Sequence, residues 1–168
     1  MATRTLVTPD EYLHMVFDGP DREFVDGEVV ERGMPTYSHG QYQTRVVEIF
    51  YELRKSHPLF AVTEVRHQLH GNLFRIPDVA IHFGKRPSEQ IPSTPPFAVV
   101  EIISPDDRYT NIVRKLREYA EWGVPHIWVI DPEEQTLSVF QDALRPVSLF
   151  EIPELGVTIS KAEIFPAE

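Results

Sequence analysis

Apolar positions along this chain recur at two periods, and the switches between them mark its elements. Thr8-Pro9-Asp10-Glu11 reads as a helix start, with Pro at the first helical position and acids in the first turn. This helix is expected to end near Phe17, before Asp18-Gly19-Pro20. Glu23-Phe24-Val25 and Glu28-Val29-Val30 flank Asp26-Gly27, a strong two-residue hairpin signal. From His39 to about Lys55, Tyr42, Val46, Ile49, Phe50 and Leu53 recur at helical spacing. Two strands are expected next, over about 60–70 and 73–83, joined by Gly71-Asn72. Four prolines make residues 84–96 a surface loop. The run 97–103 is apolar except at Glu101, which suits a strand buried on both faces. A helix over 109–122, stopped by Gly123 and Pro125, then leads to an apolar strand over 124–130. Leu137–Phe140 and Pro146–Phe150 read as a terminal hairpin or edge. The order predicts an α/β chain, a mixed α+β sheet flanked by helices. The expectation is a single domain over 1–168, with a C-terminal strand or hairpin extension at about 135–168.

Bulk composition narrows the chemistry. A chain of 168 residues, 42% of them hydrophobic, can bury a real core. It has no cysteine, so disulfides, thiolate zinc sites and cysteine nucleophiles are excluded. No stretch approaches the roughly 18 apolar residues of a membrane helix, and a soluble, cytoplasmic protein is the expectation. The net charge of −10 argues against non-specific nucleic-acid binding, yet it is unevenly spread. Residues 32–117 hold twelve Lys/Arg against eight Asp/Glu, while both ends are acidic. A locally basic middle is a candidate for contact with DNA phosphates.

Glu101 carries the sharpest signal. Phe97, Val99, Glu101 and Ile103 share one strand face, and a lone carboxylate there must be paired, protonated or metal-bound. Asp78 lies in a second apolar stretch, Ile76-Pro77-Asp78-Val79. Pro77 has no amide to give a ladder, so that stretch belongs at an edge, a strand start or a bulge. Two carboxylates on neighbouring strands suit Mg²⁺ or Mn²⁺, which take oxygen ligands. Lys115, on the flank of the helix over 109–122, can lay its stem along the sheet and bring its ammonium toward them. There it would orient an attacking water or offset transition-state charge.

These residues resemble a known pattern. Pro77-Asp78 followed by Glu101 on the next strand resembles the PD-(D/E)XK nuclease superfamily. More narrowly, several segments together resemble the bacterial Uma-two family of endonucleases. They are Thr8–Leu13, Glu23–Glu28, Ser38-His39, Ile76–Val79, Val100–Pro105, Lys115–Ala120 and Gly123–Pro132. The match spans about 7–165. The resemblance implies a restriction-endonuclease-like fold and a metal-dependent phosphodiesterase site of Asp78, Glu101 and Lys115. The superfamily's usual lysine position is Ile103 here, so the family's helix lysine, Lys115, takes that role. The family's Asp four residues before that lysine is Asn111 in this chain. Glu23 and His39 also match family positions, as an extra metal ligand and a polar positioning group.

A homodimer would let two such sites reach both strands of a duplex. The rival reading is a non-catalytic binding or regulatory protein that keeps the fold, and a weaker one is a hydrolase of small phosphoesters. His67 and His70 are expected as surface or groove residues. Arg66, Arg75, Lys85 and Arg86 are candidate phosphate contacts, and Trp122 and Trp128 core aromatics. No P-loop, nucleophile elbow or His-Glu-x-x-His helix is present.

Overall fold

The computed structural model describes residues 6–167. Helix α1 (Pro9–His14) opens on a reciprocal cap: the Thr8 hydroxyl accepts from the Glu11 amide, and the Glu11 carboxylate accepts from the Thr8 amide. It ends short of Phe17 because Met15 turns to extended backbone. Strands β1 (Glu23–Val25) and β2 (Glu28–Val30) form the expected hairpin. Asp26 and Gly27 both take positive φ, the tight turn that an Asp-Gly pair supplies. Helix α2 (Tyr37–Leu53) starts two residues before His39, because the Thr36 hydroxyl accepts from the His39 amide and so caps it.

The two long strands expected at 60–70 and 73–83 are each broken in two. The first becomes β3 (Leu59–Thr63) and β4 (His67–His70), interrupted at Glu64, whose φ is 57°. The second becomes β5 (Leu73–Arg75) and β6 (Val79–Phe83), interrupted at Ile76-Pro77-Asp78. Each break moves the chain between sheets. β3 and β6 belong to one sheet, β4 and β5 to another.

Strand β7 (Ala98–Ile102) follows the proline-rich loop. It leads into α3 (Tyr109–Trp122), which is closed by Gly123 in the left-handed region and lies where the sequence predicts it. Strand β8 (His126–Asp131) then pairs parallel to β7. Strands β9 (Thr136–Phe140) and β10 (Leu144–Val147) extend the same sheet, and β11 (Leu149–Ile152) pairs with β12 (Val157–Ser160) before the short α4 (Lys161–Ile164). The central sheet runs β10-β9-β8-β7-β6-β3, and the smaller one β2-β1-β5-β4.

The central sheet is covered on both faces. On one side Val46 and Phe50 of α2 pack with Val100, Ile102 and Trp128. On the other, Leu116 and Tyr119 of α3 pack with Val99 and Val129. Strand β7 thus alternates between two cores, as a strand buried on both faces must. Tyr12, Phe24 and Phe74 form a third cluster joining α1 to the small sheet. The fold is a mixed α+β sheet flanked by helices. Among the described residues no helix is long and apolar enough to cross a membrane.

One expectation is corrected here. His67 is fully buried, not a surface or groove residue, whereas His70 is exposed. The ring of His67 stacks on that of His82 at 5.5 Å, and its Nδ1 lies 2.9 Å from the Val65 carbonyl oxygen. Burial holds His67 down at about 4, from an ordinary value of 6.5. Its folded form therefore stays neutral between those values while the unfolded chain takes up a proton. Stability present above pH 6.5 is lost as pH falls toward 4, by about 3 kcal/mol for His67. Urea unfolding at pH 7.5 and pH 4.5 should show this loss, and His67→Phe should reduce it. An unchanged pH slope in that variant would show that His67 is not its source.

Candidate active site

Strands β6 and β7 run antiparallel with Val79 opposite Val100, so the same register sets Asp78 opposite Glu101. Pro77 ends the ladder just there, and the Asp78 side chain takes up a backbone donor the ladder leaves free. Its Oδ2 accepts from the Ile102 amide at 2.7 Å. Glu101 points toward α3, where Lys115 and Tyr119 lie one turn apart on the buried side. Lys115 Nζ donates to Glu101 Oε2 at 2.9 Å, and the Tyr119 hydroxyl donates to Oε1 at 2.8 Å.

Lys115 has two further partners. Its Nζ lies 2.9 Å from Glu23 Oε1 and donates to the Ile76 carbonyl at 3.2 Å. Glu23, at the start of β1, also accepts from the Ile76 amide at 2.9 Å and from Arg75 Nη1 at 2.7 Å. Arg75 in turn grips Glu118 of α3 through Nε and Nη2, at 2.6 and 3.0 Å. A chain of alternating charge therefore runs from Glu118 through Arg75, Glu23 and Lys115 to Glu101.

The opposite wall comes from α2 and the segment after β2. His39 Nε2 lies 3.4 Å from Asp78 Oδ1, and its Nδ1 is 3.2 Å from the Ser104 hydroxyl. Arg32 Nη2 donates to Asp78 Oδ1 at 3.0 Å, and Nη1 pairs with Glu64. Gln43 donates both to Glu64, at 2.9 Å, and to the Asp78 carbonyl, at 2.8 Å.

Burial and charge pull these groups in different directions. Burial pushes Glu101 up to about 7; Lys115 opposes it, but the neighbouring Asp78 and Glu23 add to it. Burial also works against ionisation of Glu23, yet Lys115 and Arg75 outweigh it and hold that carboxyl down at about 2. Asp78 is lowered as well, because His39, Lys115 and Arg32 overcome its burial. Lys115 is raised: its carboxylate neighbours, Glu101 first, outweigh the cost of burying the ammonium.

Glu23, Arg32, His39, Glu64, Arg75, Asp78, Glu101 and Lys115 all border one cleft of about 240 Å³, lined by seven carboxylates and five Lys/Arg side chains. Among the described residues, donor atoms of His39, Glu64 and Asp78 lie within 4.8 Å of one another, a spacing that can hold a metal ion. This set shares Asp78 with the expected pair but adds Glu64 in place of Glu101, whose two oxygens face Lys115 and Tyr119.

All five residues singled out in the sequence, Asp78, Glu101, Lys115, Glu23 and His39, line this cleft. Sequence reasoning missed Arg32, Glu64 and Tyr119. Tyr119 had a signal, lying four residues after Lys115 on the same helical face; Arg32 and Glu64 had none. Two expected phosphate contacts are corrected. Arg75 is buried between Glu23 and Glu118, and Arg66 is held by Asp21 with both contacts at 2.6 Å. The exposed cleft cations are instead Arg108 and Arg114, on α3 and its cap.

A family model, Uma2, described as "Putative restriction endonuclease", matches residues 9–168. Among solved structures, the chain is similar to one described as "a putative nuclease belonging to DUF820", from Anabaena variabilis. The two share 23% identity with a TM-score of 0.83, covering 95% of this chain and 97% of that one. This likeness shows the fold, which is restriction-endonuclease-like. No curated protein matches.

The charge chain makes a stability prediction. Arg75→Met leaves Glu23 with a single cation and should cost 3–5 kcal/mol, the rough range for breaking a buried pair from one side. Glu118→Gln, at a more accessible carboxylate, should cost about 1 kcal/mol. Urea unfolding checks both, and a loss well under 1 kcal/mol for Arg75→Met would deny that these ion pairs secure α3.

Proposed function

The chain belongs to the Uma2 family, and from that premise we propose that it is a metal-dependent endonuclease cleaving phosphodiester bonds in DNA. Asp78 and Glu101 are the proposed ligands of Mg²⁺ or Mn²⁺, and Lys115 the residue that orients the attacking water. The observation that carries this reading is the Lys115 ammonium bonded to Glu101 in a buried cleft that Asp78 shares.

The residues present suit a divalent cation. Asp78 and Glu101 offer carboxylate oxygens, Asp78 also lies within 4.8 Å of donor atoms of Glu64 and His39, and carboxylates outnumber Lys/Arg along the cleft. Glu101 at about 7 marks a place where negative charge is under-compensated. When bound, the ion would polarise the phosphoryl oxygen and acidify water. The protein's own residues set the rest. Lys115 stays an ammonium, since its neighbours raise it, so its role is to orient and to offset charge, not to act as base. Glu23 fixes that ammonium from the far side. His39, held between Ser104 and Asp78, aims the Asp78 carboxylate, and Arg108 and Arg114 are suited to backbone phosphates at the rim. Acting as one domain over 1–168, the chain would form a homodimer to place two sites on a duplex.

A specific observation favours a second reading. Arg32 occupies Asp78 and Glu64, while Lys115 and Tyr119 occupy Glu101, so the cleft's central carboxylates have partners without any ion. That suits a non-catalytic binding or regulatory protein built on the nuclease fold.

Calorimetric titration with Mg²⁺ and Mn²⁺, followed by cleavage assays on single- and double-stranded DNA, separates the two. The nuclease reading expects metal binding weakened at least tenfold by Glu101→Gln. It expects Lys115→Ala to keep the metal but lose at least a hundredfold in cleavage. Arg32→Ala should tighten metal binding, since it removes a competing cation. Absence of metal binding with DNA present, together with no cleavage, would leave the binding protein.

A further inference from the structure

A second cavity, on the other side of the Thr63–Val65 turn from the cleft, has features that the catalytic reading does not use. It measures about 350 Å³ and lies between the C-terminal half of α2, strand β3, His82 of β6 and the loop over 86–92. Glu64 faces the cleft while Val65 lines this cavity, so one turn separates the two. We infer that this cavity binds a mononucleotide, with its base inside and its phosphate on Arg54 and Arg86.

Three observations define the occupant. First, on the His82 side of edge strand β3 the walls include Phe60, Val62, Val65 and Pro92, an apolar surface that favours a flat, weakly hydrated body. Second, Arg54 and Arg86 both line the cavity, and each stacks its guanidinium on the Phe60 ring at 5.0 Å. Among the described residues neither is paired with a carboxylate. The cavity's own acid, Glu89, is taken by the amide and hydroxyl of Ser93, at 3.0 and 2.9 Å. Two preoriented guanidinium groups without a counter-ion call for a phosphate-like anion.

The third observation is the orientation of His82, which is 5% exposed and lines the cavity. His67 Nδ1 sits 2.9 Å from the Val65 carbonyl, and a carbonyl only accepts, so that nitrogen carries the proton. Burial lowers both histidines, so both rings are neutral near pH 7. His67 Nε2 is then an acceptor, and in its 3.4 Å contact with His82 Nε2 the latter must be the donor. This leaves His82 Nδ1 as a lone-pair acceptor with no partner in the protein. No buried side-chain nitrogen or oxygen among the described residues lacks a partner, so this atom reaches open space in the cavity His82 lines. The occupant must therefore carry an N–H or O–H donor at its inner end, a flat body and an anion at its outer end. A nucleobase joined to a phosphate has all three. The inference stands on this cavity alone and does not depend on catalysis in the cleft.

The test is calorimetric titration of the full chain, in EDTA, with AMP, GMP, CMP and UMP, against adenosine and inorganic phosphate. At least one mononucleotide should bind ten or more times tighter than its nucleoside or phosphate alone. Arg54→Ala/Arg86→Ala, two surface changes, should erase that gain. His82→Phe should weaken binding at least fivefold, with folding checked by circular dichroism. No binding by any mononucleotide would overturn the inference. So would affinity unchanged in the double variant, which would place the nucleotide elsewhere, or phosphate binding as tightly as the nucleotides.

Discussion

The Lys115 ammonium is the interaction on which the rest of this site depends. It is one cation in contact with Glu101 of the central sheet, Glu23 of the small sheet and the Ile76 carbonyl in the link between them. A buried carboxylate with no counter-charge costs several kcal/mol; among the described residues Lys115 is the one cation bonded to Glu101, and it shares Glu23 with Arg75. The converse also holds: the ammonium is tolerated because two acids face it. Such an arrangement adds little net stability over an apolar equivalent, but it admits one geometry. That geometry fixes α3, the two sheets and the catalytic candidates relative to one another.

Room for the cleft comes from the two broken strands. Had 60–70 and 73–83 continued as single strands, the long pair would have closed the sheet over the position of Asp78. Glu64 in the left-handed region and Pro77 without an amide both end pairing at the same level, and the chain crosses to the small sheet. The groups released at these breaks are reused. Asp78 caps the Ile102 amide, and Glu64 receives Arg32 and Gln43. The same Glu64 turn divides the cleft from the second cavity, so one irregularity shapes both.

Much of this could be read from the chain. The hairpin at Asp26-Gly27 and the helix over 109–122 rest on local signals, a turn dipeptide and a C-terminal glycine, that no distant contact overrides. Glu101 stood out because a carboxylate in an apolar run is costly wherever the strand lies. Arg75 and His67 misled for the opposite reason. Each is a polar residue in a short strand, and its burial depends on a partner outside that strand, Glu118 for Arg75 and His82 for His67. The Arg32–Glu64–Asp78 set joins three segments with no shared periodicity, so no spacing could reveal it. The strand breaks were half visible: Pro77 announced one, while Glu64, an ordinary residue in an unusual conformation, announced nothing.

The charge of the cleft bears on how a nuclease of this design would work. A chain of net charge −10, with more carboxylates than Lys/Arg along its cleft, repels a polyanion at long range. Arg108 and Arg114 offer attraction only at the rim. On the endonuclease reading, a divalent cation is then needed for substrate to enter as well as for its bond to break. Metal and nucleic acid would each strengthen the other's binding, because each removes charge that opposes the other. Arg32 fits this scheme as the resident cation of the metal-free cleft. It neutralises Asp78 and Glu64 there, and an ion bound to Asp78 would compete with that pairing and leave part of the Arg32 charge available to a phosphate.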